Sequence, residues 1–255
     1  MRVSAITLIV PVLLSLAAAS ALADWPHEVK WDQLEPESNY GFLSYISSQE
    51  QALVADDFQC AETGWITDIE FSGATYLGND TLGSFRITLW SDVPATTLDE
   101  SHPGQLLREL NLGKADPNDP LRLGWQCVVP GQYKIDIPSS EWLLQEEGTI
   151  YWIGIQGVVT DDANWFGWDF RDVNASTWGD DAVVASDLYP AWTHLAWTTG
   201  GMPTVYTGKF PTYLLKSADM CFKLTGIVPE PATGALVALG AAVLAALRRR
   251  AGRDA

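Results

Sequence analysis

The chain has 255 residues, of which 32 are acidic and 15 basic, giving a formal net charge of −17 at pH 7. Five of the basic residues but only one acidic residue lie outside residues 24–231, so the centre of the chain is more acidic than the whole. A surface of this charge repels nucleic acid and anionic lipid headgroups, which excludes partners of both classes, whereas calcium and neutral polysaccharide are compatible with it.

The first residues have the features of a secretory signal peptide. Arg2 supplies a short positive region, residues 6–16 form an apolar core, and Ala21-Leu22-Ala23 is a small-x-small cleavage site. We therefore predict a signal peptide over residues 1–23, which passes the secretion translocon and is cut by signal peptidase before Asp24. A permanent membrane anchor is the alternative, but the short apolar core and the good cleavage site favour the signal peptide.

Most of the mature chain has the pattern of β-strands. In residues 65–71, for example, apolar side chains alternate with Asp68 and Glu70, which predicts a half-buried strand with both carboxylates facing solvent. Residues 24–50 are rich in aromatic side chains and predict an arm or first strand laid over a sheet. Similar patterns predict strands over residues 52–58, 85–89, 133–137, 150–155, 165–170, 192–197 and 220–224.

Turn residues separate these predicted strands, in clusters at residues 78–80, 115–120, 130–131 and 200–201. A short helix is predicted over residues 139–146. About nine or ten strands with almost no helix predict an all-β sandwich or barrel. Our first choice is a single jelly-roll-like β-sandwich domain over residues 24–226.

The three cysteines are Cys60, Cys127 and Cys221. In an oxidising compartment, three cysteines favour one disulfide and one remaining thiol. Cys60 ends one strand pattern and Cys221 lies near the start of another, so we favour that pairing, with Cys127 as a buried free thiol. The histidines are too scattered along the chain for a Cys–His zinc site with short ligand spacing.

No catalytic group of residues is evident in the sequence. A Ser-His-Asp triad needs a serine on a sharp turn, and the chain has no Gly-x-Ser-x-Gly motif. His102 lies in Ser101-His102-Pro103-Gly104, which predicts a turn rather than a proton-transfer site. Glycoside hydrolysis needs two carboxylates across a sugar, but 32 acidic residues supply too many pairs to single one out. We therefore predict that the protein is not an enzyme and needs no cofactor.

Calcium is the one metal for which the sequence suggests a structural site. Asp116, Asn118 and Asp119 place three oxygen-bearing side chains in one loop, which is the kind of ligand that calcium prefers. The loop does not have EF-hand spacing, and Pro117 and Pro120 restrict it. Ordinary Asp-Asn-Pro turn chemistry explains the same residues without a metal.

Tryptophan gives the better indication of a ligand. The chain has 12 tryptophans, and five of them lie between residues 165 and 197. An indole ring offers a flat apolar surface with one donor, on which the C–H face of a sugar can stack. The candidate carbohydrate-binding residues are Trp165, Trp168, Asp169, Trp178 and Trp192. Tryptophans that fill the core are the alternative for each ring taken singly.

The end of the chain has three parts in a fixed order. Val228-Pro229-Glu230-Pro231 comes first, followed by an uncharged apolar segment and then by Arg248-Arg249-Arg250. Alanine and leucine in the segment favour helix, and the arginines hold that end in the cytoplasm. We predict a transmembrane helix over about residues 232–247, slightly shorter than the roughly 20 residues that span a bilayer comfortably. A buried C-terminal helix is the alternative.

This order resembles the PEP-CTERM sorting signal of Gram-negative bacteria, over residues 227–255. The resemblance implies that an exosortase, a membrane-embedded cysteine transpeptidase, cleaves the chain near Pro229-Glu230-Pro231. It also implies export across the inner membrane, transient anchoring through the C-terminal helix, and a final place at the cell surface or outside the cell. The signal is an address and carries no information about the chemistry of the exported domain.

Several short sequence segments between about residues 31 and 226 resemble those of a family of uncharacterised secreted bacterial proteins. They are Ala55-Asp56-Asp57-Phe58-Gln59-Cys60, Ile66-Thr67-Asp68-Ile69, Ser91-Asp92-Val93-Pro94, Ser101-His102-Pro103-Gly104 and Gly148-Thr149-Ile150-Tyr151-Trp152. The resemblance implies a β-sandwich and brings no ligand or catalytic residue. The function we predict is a non-catalytic module that binds exopolysaccharide, with a purely structural matrix protein as the alternative and a glycan hydrolase as the third choice.

Overall fold

A computed structural model describes residues 27–34, 37–97, 99–118, 123–171, 179, 181–198, 203–206 and 215–228. Val29–Gly226 forms one compact unit. Met1–Glu28 and Ile227–Ala255 are grouped separately, and only four residues of that group are described. The predicted cleavage site at Ala23 and Asp24, the motif Pro229-Glu230-Pro231, the helix over 232–247 and the arginines 248–250 all lie outside the described residues.

The described residues form 17 strands and one short 3-10 helix at Asn79–Thr81. The strands are β1 (His27–Asp32), β2 (Glu37–Leu43), β3 (Tyr45–Ile46), β4 (Gln51–Gln59), β5 (Gly64–Thr75), β6 (Leu82–Val93), β7 (His102–Gly113), β8 (Gly124–Val129), β9 (Gln132–Asp136), β10 (Leu143–Gln145), β11 (Ile150–Val159), β12 (Phe166–Arg171), β13 (Val183–Ser186), β14 (Thr193–Thr198), β15 (Pro203–Val205), β16 (Leu215–Ser217) and β17 (Phe222–Ile227).

These strands pair into two sheets. The first sheet has the order β1-β17-β5-β12-β2, with β10 and β9 also paired to β5, and β8 paired to β9. The second sheet has the order β15-β14-β13-β4-β3-β11-β6-β7, with β16 paired to β14 and a further pairing between β4 and β11. The two packed sheets confirm the predicted all-β sandwich class, whereas the jelly-roll connectivity stays a prediction.

Three local predictions are wrong. The residues expected to form a helix over 139–146 form a turn followed by β10, and none of the described residues is in an α-helix. The expected turn at Ser101-His102-Pro103-Gly104 instead opens the 12-residue strand β7, in which His102 pairs with Val93 and Pro103 with Asp92 of β6. Proline is tolerated there because it lies near the start of a strand at the end of the sheet order. The described strands also outnumber the nine or ten expected, since several of them span only two to four residues.

An aromatic cluster joins the two sheets. Phe85 of β6 points from the second sheet into four rings of the first sheet, and its ring centroid lies 4.9 Å from Phe71, 5.1 Å from Phe166 and 5.3 Å from Tyr133. The fourth ring is Trp125, at 5.7 Å and nearly perpendicular. All five side chains are buried. Edge-to-face pairs of this kind add about 0.5–1.5 kcal/mol each beyond the burial of their area.

Close approach of the sheets beside this cluster requires a glycine. A Cβ atom added to Gly157 of β11 would lie 2.5 Å from Phe166 Cβ and 2.8 Å from Phe166 Cγ. Gly157 is also buried, so neither the ring nor the strand has space to move away. The absence of a side chain at this position therefore sets how closely β11 approaches β12.

The two carboxylates of β5 that we expected to face solvent differ in their surroundings. Glu70 is half-buried and forms an ion pair of 2.9 Å with Lys223. Asp68 is buried, and it lies directly opposite Asp136 of β9 in the strand register. Burial, followed by the nearby negative charges, raises the pKa of Asp68 despite the opposing attraction of Lys134. The expectation of two solvent-facing carboxylates is therefore wrong for Asp68.

Within the described ranges, no helix is long and apolar enough to cross a membrane.

Gly157→Ala is expected to destabilise the fold by about 1–3 kcal/mol, the range typical of overpacking in a close-packed core. Gly113→Ala is the matched control, because a Cβ atom at that position meets no atom within 4 Å. We expect the control to stay within about 0.5 kcal/mol of the wild type. Urea denaturation of the two variants measures the difference, and equal midpoints would contradict the role given to Gly157.

Asp68→Asn is expected to raise the stability of the protein near neutral pH. Because the pKa of Asp68 is raised on folding, its contribution favours the folded state at low pH and is lost as the pH rises through the raised value. An amide carries no charge, so the variant loses this pH dependence. Urea midpoints measured from about pH 4 to pH 7 should converge at the acidic end, and parallel profiles would argue against the assignment. Asp80→Asn, at an exposed position, serves as the control.

Candidate ligand-binding face of the second sheet

Strand alternation gives the second sheet two distinct faces. Val54, Phe85 and Ile153 belong to the main core between the sheets. Their neighbours Ala55 and Trp152 belong to a separate small cluster on the opposite face. We call this opposite face the outer face, because successive side chains of a strand point to opposite sides of its sheet.

Three tryptophans form the centre of the outer face. Trp152 of β11 is fully buried and donates a hydrogen bond of 2.8 Å from Nε1 to Asp92 Oδ1. Trp90 of β6 and Trp192, which immediately precedes β14, are half-buried and meet edge to face with ring centroids 5.6 Å apart. Trp192, which was predicted to bind carbohydrate, therefore packs against Trp90, and Trp90 in turn lines a groove.

This groove has a volume of about 450 Å³ and crosses the strands of the outer face. Its lining combines aromatic, amide and charged side chains from four strands and the turn after β13. The lining residues are Gln51, Leu53, Arg86, Trp90, Gln156, Ala185, Ser186, Asp187, Tyr189 and Pro190. The predicted strand over residues 85–89 contains Arg86, but the sequence does not show the order of strands that brings Gln156 and Tyr189 beside it.

A chain of hydrogen bonds fixes the polar floor of the groove. Gln156 donates from Nε2 to the carbonyl oxygen of Ala52 at 2.8 Å, and its Oε1 accepts from Arg86 Nη1 at 3.4 Å. Arg86 Nη2 forms an ion pair of 2.6 Å with Glu109 Oε2. The charge of Arg86 is therefore compensated by Glu109, and the other described lining residues of the groove carry no positive charge.

Tyr189 is placed at the groove by a tight turn. The backbone N–H of Tyr189 donates to the Ser186 carbonyl at 3.0 Å, and the N–H of Ser186 donates to the Tyr189 carbonyl at 2.8 Å. The Ser186 hydroxyl also accepts from the N–H of Tyr189, at 3.2 Å. Because the turn is held at both ends, the half-buried ring of Tyr189 has a defined position beside Trp90.

A second groove, of about 460 Å³, lies where the ends of the two sheets meet. Trp65, Trp142 and Tyr151 supply its aromatic rings, and Arg108 and Glu146 supply its charges. Trp142 donates from Nε1 to the carbonyl oxygen of Ile137 at 3.0 Å, and Arg108 is ion-paired with Glu141. Leucine side chains make up much of the remaining lining, so this groove offers fewer groups that recognise a hydroxyl.

The tryptophans predicted to bind carbohydrate do not form one surface. Trp168 is fully buried, packs edge to face against Phe222 with centroids 5.8 Å apart, and donates from Nε1 to the Cys221 carbonyl oxygen. Its assignment to a binding face is wrong, because alternation along β12 directs it into the core. Asp169 is half-buried and accepts a hydrogen bond of 2.8 Å from the Ser72 hydroxyl.

Trp165 lies apart from the outer face. It is half-buried and stacks on the exposed ring of Tyr76, with centroids 5.5 Å apart and planes 15° from parallel. Trp178 lies outside the described residues. Among the ten described tryptophans none is fully exposed, so rings on a binding surface can contribute only part of their area.

The predicted calcium loop is organised by its own hydrogen bonds. Asp116 Oδ1 accepts from the backbone N–H of Asn118 at 2.8 Å and from Asn118 Nδ2 at 3.1 Å. This arrangement is the turn chemistry that was the alternative to a metal. Asp119 lies outside the described residues, so a calcium ion at this loop stays a prediction.

The adjacent aspartates of β4, Asp56 and Asp57, are both buried, which no local sequence pattern indicates. Asp56 accepts from Gln33 Nε2 at 2.6 Å and from the backbone N–H of Met220 at 2.8 Å, both through Oδ2. Burial raises the pKa of Asp56 well above its ordinary value, and the neighbouring Asp219 and Asp57 raise it further. These bonds connect β4 of the second sheet to segments of the first, which gives Asp56 a structural role.

The cysteines differ from the sequence expectation. Cys60 is buried and carries a free thiol, so the predicted Cys60–Cys221 disulfide is absent. Burial raises the pKa of the Cys60 thiol to about 11. Cys127, expected to be buried, is exposed near the end of β8, because its side chain lies on the solvent side of that strand.

One cluster of side chains is of a type that binds metal ions. Glu100, Asp181 and His194 each offer one ligand atom, and these three atoms lie within 4.8 Å of one another. The three residues are far apart in sequence, so spacing along the chain does not indicate the cluster. His102, by contrast, has its Nδ1 3.0 Å from the carbonyl oxygen of the next residue, Pro103, a local contact within the strand.

Comparison with known proteins gives two matches. The family described as Domain of unknown function (DUF7901) matches residues 29–225, and the PEP-CTERM protein-sorting motif matches residues 228–250. No curated protein and no solved structure matches the chain.

The sorting motif indicates an exported protein that an exosortase processes, with transient membrane anchoring before it reaches the surface or the extracellular space. It confirms the resemblance drawn from the Pro-Glu-Pro element, the apolar segment and the arginines. The first match covers more than half of the chain and nearly all of the described strands. The protein is therefore a member of the DUF7901 family that carries a PEP-CTERM sorting motif.

Proposed function

We propose that the exported domain is a non-catalytic module that binds polysaccharide in the groove of the outer face. The observation that carries the proposal is the combination of Trp90 and Tyr189 with Gln51, Gln156 and Asp187 in one groove of about 450 Å³. Aromatic rings suit the C–H face of a sugar, and amide and carboxylate groups suit its hydroxyls. Binding sites for small ligands commonly combine apolar walls with a few fixed polar groups.

The charge of the groove favours a neutral polysaccharide. Arg86 is already paired with Glu109 at 2.6 Å, and Asp187 adds a negative charge at the rim. The protein as a whole carries a formal charge of −17. An acidic polymer would be repelled over the whole surface without gaining an uncompensated cation in the groove.

We propose a mature domain over residues 24–226, delivered by a signal peptide that signal peptidase removes before Asp24. We place the sorting signal over residues 227–255, with its membrane helix at about 232–247. A structural matrix protein without a ligand is the alternative function. The burial of Trp125, Trp152, Trp168 and Trp197 favours that alternative, because those rings are not available to a ligand.

Affinity electrophoresis of the purified exported protein, through gels that contain single polysaccharides, tests the binding proposal. Tyr189→Ala removes an aromatic ring from the groove. It is expected to weaken binding of the polysaccharide that retards the wild-type protein about tenfold, which corresponds to about 1.4 kcal/mol. Gln156→Ala removes a hydrogen-bonding group of the floor and should weaken binding in the same direction.

Tyr76→Ala is the control, because Tyr76 is an exposed tyrosine stacked on Trp165 and does not line the groove. It should bind as the wild type does. If Tyr76→Ala loses binding while Tyr189→Ala keeps it, the surface at Trp165 is the site and the groove is not. Absence of retardation across a broad panel of neutral and acidic polymers would favour the matrix protein.

Intact-mass measurement tests the proposed processing. In cells that carry an exosortase, we expect a mature chain that begins at Asp24 and lacks Arg248-Arg249-Arg250. In an otherwise identical strain without the exosortase, the arginines should remain attached. A mass that includes Met1 would contradict the signal peptide, and equal masses in the two strains would contradict cleavage by the exosortase.

A further inference from the structure

We propose that Glu100, Asp181 and His194 form a binding site for a divalent transition metal of the zinc class. One carboxylate oxygen of each acid and one imidazole nitrogen lie within 4.8 Å of one another. A single ion placed between three such atoms can reach all of them with small side-chain adjustments. The site is independent of the proposed polysaccharide groove, whose lining shares none of these residues.

The strand register explains why two of these residues meet. His194 of β14 is paired with Val183 of β13 in an antiparallel ladder. Asp181 is two residues before Val183, so it lies on the same face as Val183 and diagonal to His194. Diagonal neighbours across an antiparallel pair have Cα atoms about 7–8 Å apart, within reach of an aspartate and a histidine side chain.

Glu100 comes from the connection between β6 and β7, far from both residues in sequence. Its Oε2 lies 3.3 Å from His194 Nδ1. The Glu100 side chain is 50% exposed, whereas that of His194 is 13% exposed. The cluster thus combines His194 on β14 and Asp181 just before β13 with a more exposed ligand, Glu100, on the connection between β6 and β7.

The hydrogen bonding of the His194 side chain also supports a bound ligand. Its Nδ1 is inaccessible to solvent and has no hydrogen-bond partner within the described part of the chain, even though it faces a carboxylate at 3.3 Å. Buried polar groups are nearly always hydrogen-bonded, and leaving one unsatisfied is costly. A metal ion bound through Nδ1 would satisfy this atom.

Asp181 has the supporting contacts typical of a metal ligand. Its Oδ1 accepts a hydrogen bond of 3.1 Å from the backbone N–H of Ala218. The Ser217 side chain forms a further hydrogen bond with the same carboxylate. Hydrogen bonds of this kind orient a ligating carboxylate. Burial raises the pKa of Asp181, and a bound cation would offset the cost of keeping this group charged.

The set of donor atoms indicates which metal fits. Calcium takes six to eight oxygen ligands, and a cluster with a nitrogen and two carboxylates does not supply them. Zinc binds histidine nitrogen and carboxylate oxygen in four-coordinate sites. Three protein ligands leave one position for water, and such a site would connect the segment between β6 and β7 to β13 and β14.

Zinc titration of the purified exported protein, after treatment with a chelator and removal of it, tests the site. We expect one equivalent of bound Zn²⁺ by competition with a chromogenic zinc indicator, together with a rise in Tm that the chelator reverses. His194→Ala and Asp181→Asn should each lose this equivalent. The same concentration of Ca²⁺ should not displace the bound equivalent of Zn²⁺.

The chain has three histidines, which allows a matched control. The double variant His27→Ala/His102→Ala keeps only His194 and should retain the full equivalent. Glu100→Gln changes a half-exposed side chain and is expected to fold normally, so it tests the ligand set even if His194→Ala fails to fold. We expect it to weaken zinc binding at least tenfold.

Several results would overturn the proposal. One is a wild-type protein that binds no zinc, in which case the cluster is an ion pair between His194 and Glu100. Another is an equivalent that survives in folded Glu100→Gln and Asp181→Asn, or that disappears in the double histidine variant. Displacement of the bound Zn²⁺ by the same concentration of Ca²⁺ would overturn the class of metal.

Discussion

The packing of Phe85 between the two sheets is the interaction on which the rest of the structure depends. This one side chain of the second sheet meets four aromatic rings of the first within 5.7 Å. Because Phe85 points inward, alternation directs Arg86, Thr88 and Trp90 of β6 outward. The same alternation directs Gln156 and Trp152 of β11 outward. The polar groove and the outer-face tryptophans therefore follow from the requirement that Phe85 be buried.

A second connection between the sheets is polar. Asp56 of β4 accepts hydrogen bonds from Gln33 and from the backbone of Met220. Next to it in sequence, Asp57 is buried on the opposite side of the strand, where a Cβ atom added to Gly179 would overlap its carboxylate. Buried carboxylates are costly unless they are hydrogen-bonded, so these residues specify how the strands are placed more than they increase stability.

The sequence predicted the class of the fold because alternation is local. Eight predicted strands, from residues 52–58 to residues 220–224, correspond to strands of the structure. The sequence-based predictions were wrong at positions whose burial depends on contacts with residues far away in the chain. The alternation of β12 places Trp168 on the same face as Phe166 and Phe170, but it does not say which face of the strand is buried. That became clear from the packing of Trp168 on Phe222, which lies 54 residues further along the chain. The cluster of Glu100, Asp181 and His194 depends on the pairing of Val183 with His194, which no local pattern specifies.

Among the described strands, β7 is an edge strand of the second sheet: it pairs with β6 on one side only. Irregular register between β6 and β7 near Leu89, Trp90 and Asp92 twists this border. Arg108 and Glu109 lie among its exposed residues. Irregular, charged borders of this kind disfavour the addition of strands from a second molecule. Pairing of two copies through β7 is therefore disfavoured while the protein is anchored at the membrane before its release.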